Sequence, residues 1–263
     1  MKSHVYQAKT PDIKGVVHYT PQEHGVWKAL YERQIKLVQG RACQEFINGV
    51  EALKLSPDEI PQLPELSKRL RAITGWEVAP VKALISFAEF FELLARRQFP
   101  AATFIRLPEE LDYLKEPDIF HELFGHCPLL TNQAFADFTQ RVGELGLSMD
   151  KEERAMLARL YWFTVEFGLI NTNDGLRIYG GGILSSKGET VYALESEIPL
   201  RRQFDLLTVL RTPYRYDEMQ KNYFIINSFD ELFKLVSVDL RSAFREAKAK
   251  GINLTHETDV RSC

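Results

Sequence analysis

The chain has 263 residues, 45% of them hydrophobic and 26% charged, with a formal net charge of -3 at pH 7. These values are typical of a globular protein with a buried core, and without an excess of basic residues nucleic acid is not an expected partner. Because the chain has neither an apolar run near the ~20 residues that span a bilayer nor the apolar core of a signal peptide, we expect a cytoplasmic protein with no membrane partner.

The first 25 residues contain prolines, glycines and scattered polar residues, which predicts an extended N-terminal arm before a domain of residues 26–263. From Val26 to about Leu55, hydrophobic residues recur at helical spacing, with Gly40 as a break, so we expect one long or two shorter helices. The motif SPDE at 56–59 predicts a capped helix start, and the helix that follows is expected to end near Gly75.

Further helices are predicted at 86–97, near Pro117, at about 132–146 and 151–170, and at 229–250. The segment FPAATFIRL predicts a short strand that ends at Arg106. The segment RIYGGGILSSKGETVYAL predicts a ribbon or two short strands. The expected fold is mainly α, a single helical domain with a small β ribbon.

The stretch HELFGH, residues 121–126, places two histidines five residues apart. Successive helix residues turn by about 100°, so positions five apart differ by about 140° around a straight helix. His121 and His126 could therefore meet only if the helix ends there, which Gly125 and Pro128 favour. From the pair alone, two ordinary imidazoles are a more frequent explanation than a metal site.

A second polar feature is Glu166, the only formally charged residue in the segment LYWFTVEFGLI. A helix that is apolar on all sides is usually buried, and a buried carboxylate needs a cation or a strong donor. The alternatives are an ion pair with Arg159 or Arg177, or a helix orientation that lets the carboxylate reach water.

Two neutral imidazoles and one carboxylate would leave a divalent metal with open coordination positions. The three cysteines are far apart, and they do not form a thiolate metal motif. The donor set fits catalytic zinc with one open position or ferrous iron with three, and spacing alone does not separate the two metals.

The run EPDIFHELFGHCPLL, followed by YWFTVEFGL and YGGGILSSKGE, closely resembles the pterin-dependent aromatic amino acid hydroxylases, and most closely their short bacterial phenylalanine-hydroxylating members. The similarity extends over nearly the whole chain, from HYTPQEHGVWKALYERQ to the last helix. It implies a catalytic domain with a mononuclear Fe(II) site in a central cleft, tetrahydrobiopterin or a related tetrahydropterin as cofactor, and O2 as co-substrate. The implied iron ligands are His121, His126 and Glu166.

The resemblance also implies roles for residues around the iron. Glu122 matches a glutamate near the iron and the pterin, and we expect it to be catalytic. The positions that match substrate-binding residues are Arg106, which would bind the substrate carboxylate, and Trp162, Ser185 and Leu114. The positions that match pterin-binding residues are Phe90, which would stack on the pterin ring, and Leu84, Ala158 and Tyr161. Leu114 departs from the pattern, because animal members have a threonine there.

The expected substrate is L-phenylalanine, which would be hydroxylated to L-tyrosine, and Tyr216 is a candidate for discrimination between aromatic substrates. Alternatives are a tryptophan or tyrosine hydroxylase of the same family, a zinc hydrolase with Glu122 as base, or a non-catalytic protein that binds aromatic ligands. Few residues follow the last predicted helix, so we expect a monomer or dimer rather than a tetramer built on a long C-terminal helix.

Overall fold

A computed structural model of the chain describes residues 6–82, 85–112, 116–235 and 239–252. Eleven α-helices lie within these residues: α1 Pro21–Val38, α2 Gln44–Ala52, α3 Leu63–Thr74, α4 Phe87–Ala95, α5 Gln133–Ser148, α6 Lys151–Tyr161, α7 Gly181–Leu184, α8 Lys187–Glu195, α9 Leu206–Arg211, α10 Phe229–Leu235 and α11 Leu240–Lys250. Two π-helices, His121–His126 and Trp162–Glu166, and two 3₁₀ segments, Pro108–Glu110 and Cys127–Thr131, complete the helical part.

Six strands form two small sheets: β1 Glu77–Val81, β2 Gln98–Ala102, β3 Gly168–Thr172, β4 Gly175–Ile178, β5 Leu200–Gln203 and β6 Asn222–Ile226. Strands β1 and β2 pair in parallel. The second sheet has the order β4-β3-β6-β5, in which β3 and β4 form an antiparallel hairpin and β6 pairs in parallel with both β3 and β5. The mainly α, single-domain fold predicted from the sequence is confirmed, although the β part exceeds one ribbon.

The first helix begins earlier than the sequence pattern indicated. The Thr20 hydroxyl accepts the Glu23 N–H, the Glu23 carboxylate accepts the Thr20 N–H at 2.7 Å, and Pro21 occupies the first turn. This capping box fixes the helix start within the stretch predicted to be an extended arm. The break at Gly40 is confirmed, because Gly40 has a φ of 70° between α1 and α2.

Four other predicted elements need correction. The SPDE segment forms a bend, and α3 begins only at Leu63, although it ends at Gly75 as expected. The predicted helix at 151–170 gives way to strand β3, and the glycine-rich stretch after β4 forms α7 and α8 rather than strands. The predicted strand ends at Ala102, four residues before Arg106.

The last predicted helix is divided into α10 and α11, of which the second is capped by the Asp239 side chain. Residues 236–238 between them lie outside the described residues.

The core lies where both π-helices pack against the surrounding α-helices. Its largest fully buried side chains include Trp27, Trp76, Phe120, Phe124, Phe163 and Tyr179. Within the described ranges, no helix is both long and apolar enough to cross a membrane.

Candidate metal centre

The HELFGH segment forms a π-helix rather than the end of an α-helix. In a π-helix the backbone hydrogen bond joins residues five apart, and here the Cys127 N–H donates to the Glu122 carbonyl. Residues five apart therefore follow one another along the axis, as residues four apart do in an α-helix. The extra residue that a straight α-helix could not accommodate is the residue that brings His121 and His126 to the same side.

Glu166 ends the second π-helix, in which the Phe167 N–H donates to the Trp162 carbonyl at 2.9 Å. The chain then turns directly into β3, so the carboxylate is held between a helix end and a strand start. Within the described residues, Glu166 forms no ion pair with Arg159 or Arg177. Arg159 instead donates to the Leu210 carbonyl, and Arg177 donates to the Leu176 carbonyl.

The two π-helices bring three ligand atoms together. The Nε2 atoms of His121 and His126 are 3.0 Å apart, and Oε2 of Glu166 lies 3.3 Å from Nε2 of His126 and 3.8 Å from that of His121. Ligand atoms about 2.1 Å from one ion would lie about 3.0 Å apart at right angles and about 3.4 Å apart in a tetrahedron. Among the described residues, these three form the one group of histidine, cysteine and carboxylate side chains with this convergence.

The tautomer of His121 is determined by Ser185. The Ser185 hydroxyl has one proton, which it donates to the Gly181 carbonyl at 2.9 Å. Its oxygen must therefore accept from Nδ1 of His121, 2.9 Å away. With the proton on Nδ1, a neutral His121 presents the lone pair of Nε2 to the other two ligand atoms.

His126 is held by packing. Its ring lies 5.2 Å from the Phe99 ring and directly against the backbone of Gly181. Its Nδ1 is buried and has no hydrogen-bond partner among the described residues, so on that side of the ring these walls hold it in place of a polar contact.

The electrostatics favour a cation between the ligands. Burial, followed by the neighbouring His126, lowers the pKa of His121 to about 4, so this imidazole is neutral at pH 7. Burial would raise the pKa of Glu166, but the two histidines outweigh it and keep that pKa below its usual value. Two imidazoles and an ionised carboxylate are a fitting donor set for a divalent metal.

Glu122 lies beside the ligands and is buried. Burial raises the pKa of its carboxyl well above the usual value, and the negative charges of Glu166 and Asp118 raise it further. Burial and the neighbouring charges therefore favour the protonated form of this carboxyl group.

Arg106 is buried and forms a side-on ion pair with the fully buried Asp118. Its Nε and Nη2 donate to the two carboxylate oxygens at 2.8 and 2.9 Å, and the same carboxylate accepts the backbone N–H of His121 at 3.1 Å. Arg106 is therefore held by a buried ion pair and does not lie at the surface. Its Nη1 is the guanidinium nitrogen that this ion pair does not use.

A cavity of about 230 Å³ opens beside Glu166. Its other lining residues are hydrophobic or aromatic: Ile85, Phe87, Phe90, Phe91, Ala158, Tyr161, Trp162 and Tyr214. The Phe90 ring meets Tyr161 edge to face at 5.2 Å. A flat aromatic or heterocyclic ligand fits such walls, with one carboxylate at the metal side.

The predicted site residues fall into three sets. Phe90, Ala158, Tyr161 and Trp162 line the cavity with Glu166. Arg106, Glu122 and Ser185 surround the histidines without lining it. Leu84 and Leu114 lie outside the described residues.

Sequence reasoning missed two residues of the site. Tyr216, suggested for substrate discrimination, is 65% exposed, and Tyr214 lines the cavity in its place. Asp118 was missed as the partner of Arg106, although an aspartate three residues before a helical histidine is a recognisable cap signal.

A family profile described as "Biopterin-dependent aromatic amino acid hydroxylase" matches residues 3–247. The chain belongs to this family. Phenylalanine-4-hydroxylase of Pseudomonas aeruginosa is 56% identical to this hydroxylase over 253 residues, which cover 96% of each chain.

Solved structures of hydroxylases agree with the fold. The apo structure of the cold-active phenylalanine hydroxylase of Colwellia psychrerythraea 34H superposes with a TM-score of 0.93 at 50% identity, covering 95% of this chain and 97% of the other. A structure of Chromobacterium violaceum phenylalanine hydroxylase with bound iron(III) and oxidised 7,8-dihydrobiopterin superposes with a TM-score of 0.86 at 45% identity, covering 92% and 90%.

Proposed function

We propose that the chain is a phenylalanine 4-monooxygenase, which converts L-phenylalanine to L-tyrosine with O2 and a tetrahydropterin at a mononuclear Fe(II) site. The observation that carries the proposal is the convergence of two imidazoles and one carboxylate beside an aromatic cavity, in a chain of this hydroxylase family. The similarity to bacterial phenylalanine hydroxylases supports phenylalanine over tyrosine and tryptophan.

In this proposal His121, His126 and Glu166 hold the iron from one side, and bound iron supplies the site at which O2 is activated. Ser185 keeps Nε2 of His121 free of a proton, and the aromatic walls exclude water from the reacting ring. Trp162 and Tyr214 form the wall for the substrate ring, and Phe90 forms a stacking face for the pterin.

Arg106 binds the carboxylate of the amino acid through Nη1 while Asp118 holds the rest of the guanidinium in place. Glu122 offers its carboxyl group as a hydrogen-bonding partner to the polar edge of the pterin, and its buried position favours the protonated form. Both residues therefore orient ligands relative to the metal. We also propose that the protein is cytoplasmic and that it is a monomer or a dimer.

The test is anaerobic loading of the protein with ferrous iron, followed by oxygen, L-phenylalanine and a tetrahydropterin. Tyrosine and oxidised pterin are measured together, and the controls omit the pterin, replace iron by zinc, or use His121→Ala. Tyrosine is expected only with iron, pterin and the intact ligands. Hydroxylation of tyrosine or tryptophan in preference to phenylalanine would identify another activity of the family, and no product from any of the three would refute the proposal. Hydrolytic activity with zinc and without pterin would favour a hydrolase.

A further inference from the structure

One wall of the cavity is the indole of Trp162, which lies against two other rings. The Tyr214 ring lies 4.3 Å away at an interplanar angle of 16°, and the Phe167 ring lies 4.7 Å away at 30°. Stacking fixes the plane of an indole but resists sliding and rotation within that plane only weakly, whereas a hydrogen bond is directional. Besides its covalent attachment to the backbone, the directional restraint on the in-plane position of Trp162 is therefore its polar contact.

That contact is Gln220, a buried residue just before β6. The indole N–H of Trp162 donates to Oε1 of Gln220 at 3.0 Å. The amide nitrogen of the same side chain donates to the carbonyls of Arg215 and Glu218 at 2.6 and 3.2 Å. Rotation of the amide by 180° would direct its NH2 group at the indole N–H, so these three contacts determine one orientation.

Gln220 is in turn anchored to α8 by Glu189, a buried carboxyl group that neither the metal site nor the cavity uses. Its Oε1 accepts the backbone N–H of Gln220 at 3.0 Å and the hydroxyl of Tyr223. A series of polar contacts therefore connects α8 to the cavity wall, in the order Glu189, Gln220, Trp162. Burial of a carboxyl group costs free energy, and the two hydrogen bonds that Glu189 accepts offset part of this cost while they hold Gln220 and Tyr223 in place.

We propose that Gln220, anchored by Glu189, is a positioning residue that sets the in-plane position of the Trp162 indole and thereby determines which aromatic rings fit productively beside the iron. The inference rests on the proposed hydroxylase function and extends it to specificity. Without the acceptor at position 220, the indole can slide in its stack. The pocket then discriminates less between ring sizes, and pterin oxidation is less tightly coupled to ring hydroxylation.

The first test is a double-mutant cycle with Gln220→Met, Trp162→Phe and the double variant. Methionine matches the length of glutamine without the acceptor, and phenylalanine retains a ring without the N–H. Q220M is expected to lower kcat/KM for phenylalanine by about fivefold, the size of one lost hydrogen bond, and to lower the tyrosine formed per pterin oxidised. In the W162F background the same change is expected to have less than about a twofold effect, because the partner is gone.

The second test distinguishes positioning from general destabilisation. Glu189→Leu is expected to reproduce the effect of Q220M on substrate preference, and Glu189→Gln, which keeps an acceptor oxygen, to retain most of the wild-type preference. Gln62→Met is the matched control, because it removes an amide bonded to the Val17 backbone at 2.9 and 3.0 Å, at residues that do not line the cavity. Q62M is expected to leave the preference and the coupling unchanged.

A third measurement needs no activity. Tryptophan fluorescence is recorded without metal, and the signal of Trp162 is obtained by subtracting the fluorescence of the W162F counterpart from that of each protein. Q220M is expected to lower the anisotropy of this difference signal, because the indole gains freedom.

The inference is overturned if Q220M leaves preference, coupling and anisotropy unchanged, or if it has equal effects with and without Trp162. Failure of the wild-type chain to form tyrosine would instead refute the hydroxylase function, and the anisotropy would still report on the Gln220 contact. If Q220M does not fold, the comparison of E189L with E189Q decides the question.

Discussion

The α-carbon of Gly181 lies so close to the ring of His126 that a β-carbon there would be 2.4 Å from Nδ1. Since Nδ1 has no hydrogen bond among the described residues, this backbone contact and the Phe99 ring together orient a proposed metal ligand.

Gly181→Ala is expected to displace the His126 ring and weaken binding of ferrous iron at least about tenfold, a loss of the size seen when a ligand's support is removed. Overpacking is also expected to destabilise the fold by about 2 kcal/mol. Chelator competition and chemical denaturation measure the two effects. Gly25→Ala is the control, because a β-carbon there meets nothing within 4 Å. Wild-type iron affinity in G181A would contradict this role of the glycine.

Ser185→Ala tests the tautomer of His121. Without the hydroxyl, Nδ1 of His121 loses its acceptor and the proton is no longer directed away from Nε2. Iron affinity is expected to fall by about 10-fold to 100-fold, with little change in thermal stability. The control is Ser148→Ala, which removes a hydroxyl that also bonds a preceding carbonyl, that of Leu145. Titration calorimetry of the two variants with Fe(II) gives the comparison, and equal affinities would argue against the hydrogen bond.

Asp118→Asn tests the buried ion pair with Arg106. The asparagine keeps the shape but leaves a buried guanidinium without its counter-charge. We expect the free energy of unfolding at pH 7 to fall by about 3 kcal/mol. Arg106 lowers the pKa of Asp118 below its ordinary value despite burial, so the stabilisation is complete above pH about 4. This stabilisation is lost as the pH falls through the pKa of Asp118 in the folded protein. The difference in free energy of unfolding between D118N and the wild type should therefore become smaller in acid.

Urea denaturation between pH 7 and pH 3 measures this difference. Asp112→Asn is the control, because Asp112 pairs with Arg33 and Lys187 at the surface and its side chain is 67% exposed. Exposed pairs contribute little, so D112N should be nearly neutral. A D118N effect that does not depend on pH would mean that shape, not charge, accounts for it.

Phe90→Leu tests the proposed pterin face. Loss of the aromatic surface is expected to raise the KM for the tetrahydropterin about fivefold, since an aromatic stack contributes about 1 kcal/mol beyond its buried area. The KM for phenylalanine should change by less than about twofold if the two ligands occupy different walls. Phe233→Leu, on α10, is the control. Steady-state kinetics with each ligand varied in turn decide the matter, and an equal rise in both constants would mean that F90L disturbs the cavity as a whole.

The sequence predicted the residue types of the site better than the backbone that carries them. A carboxylate in an apolar helix signals a required partner, so Glu166 could be found from burial physics alone. The partner of Arg106 could not be found this way, because the chain must fold before Asp118 and Arg106 come within 2.8 Å. The same holds for Gln220 and Trp162, which are 58 residues apart in sequence.

The glycine-rich segment was misjudged for a physical reason. Consecutive glycines indicate turns and strand ends in a sequence. At positions 180 and 181, however, glycine is required because a side chain would collide with the Glu166 backbone or the His126 ring. The requirement is tertiary, and the local conformation is helical. Likewise, the SPDE motif has the composition of a helix cap, but α3 begins four residues after the motif ends, where Leu63 and Leu66 can be buried.

Each π-helix has consequences for the length of the chain. One residue more than an α-helical turn is accommodated between His121 and His126, and another before Glu166. Because five residues of a π-helix cover about the same turn as four residues of an α-helix, deletion of a single residue from either segment would restore α-helical geometry and leave the flanking chain nearly in register. A one-residue deletion between the two histidines would then leave them four apart on one face of an α-helix, so the spacing of the ligands and the type of helix determine their positions together, and neither does so alone.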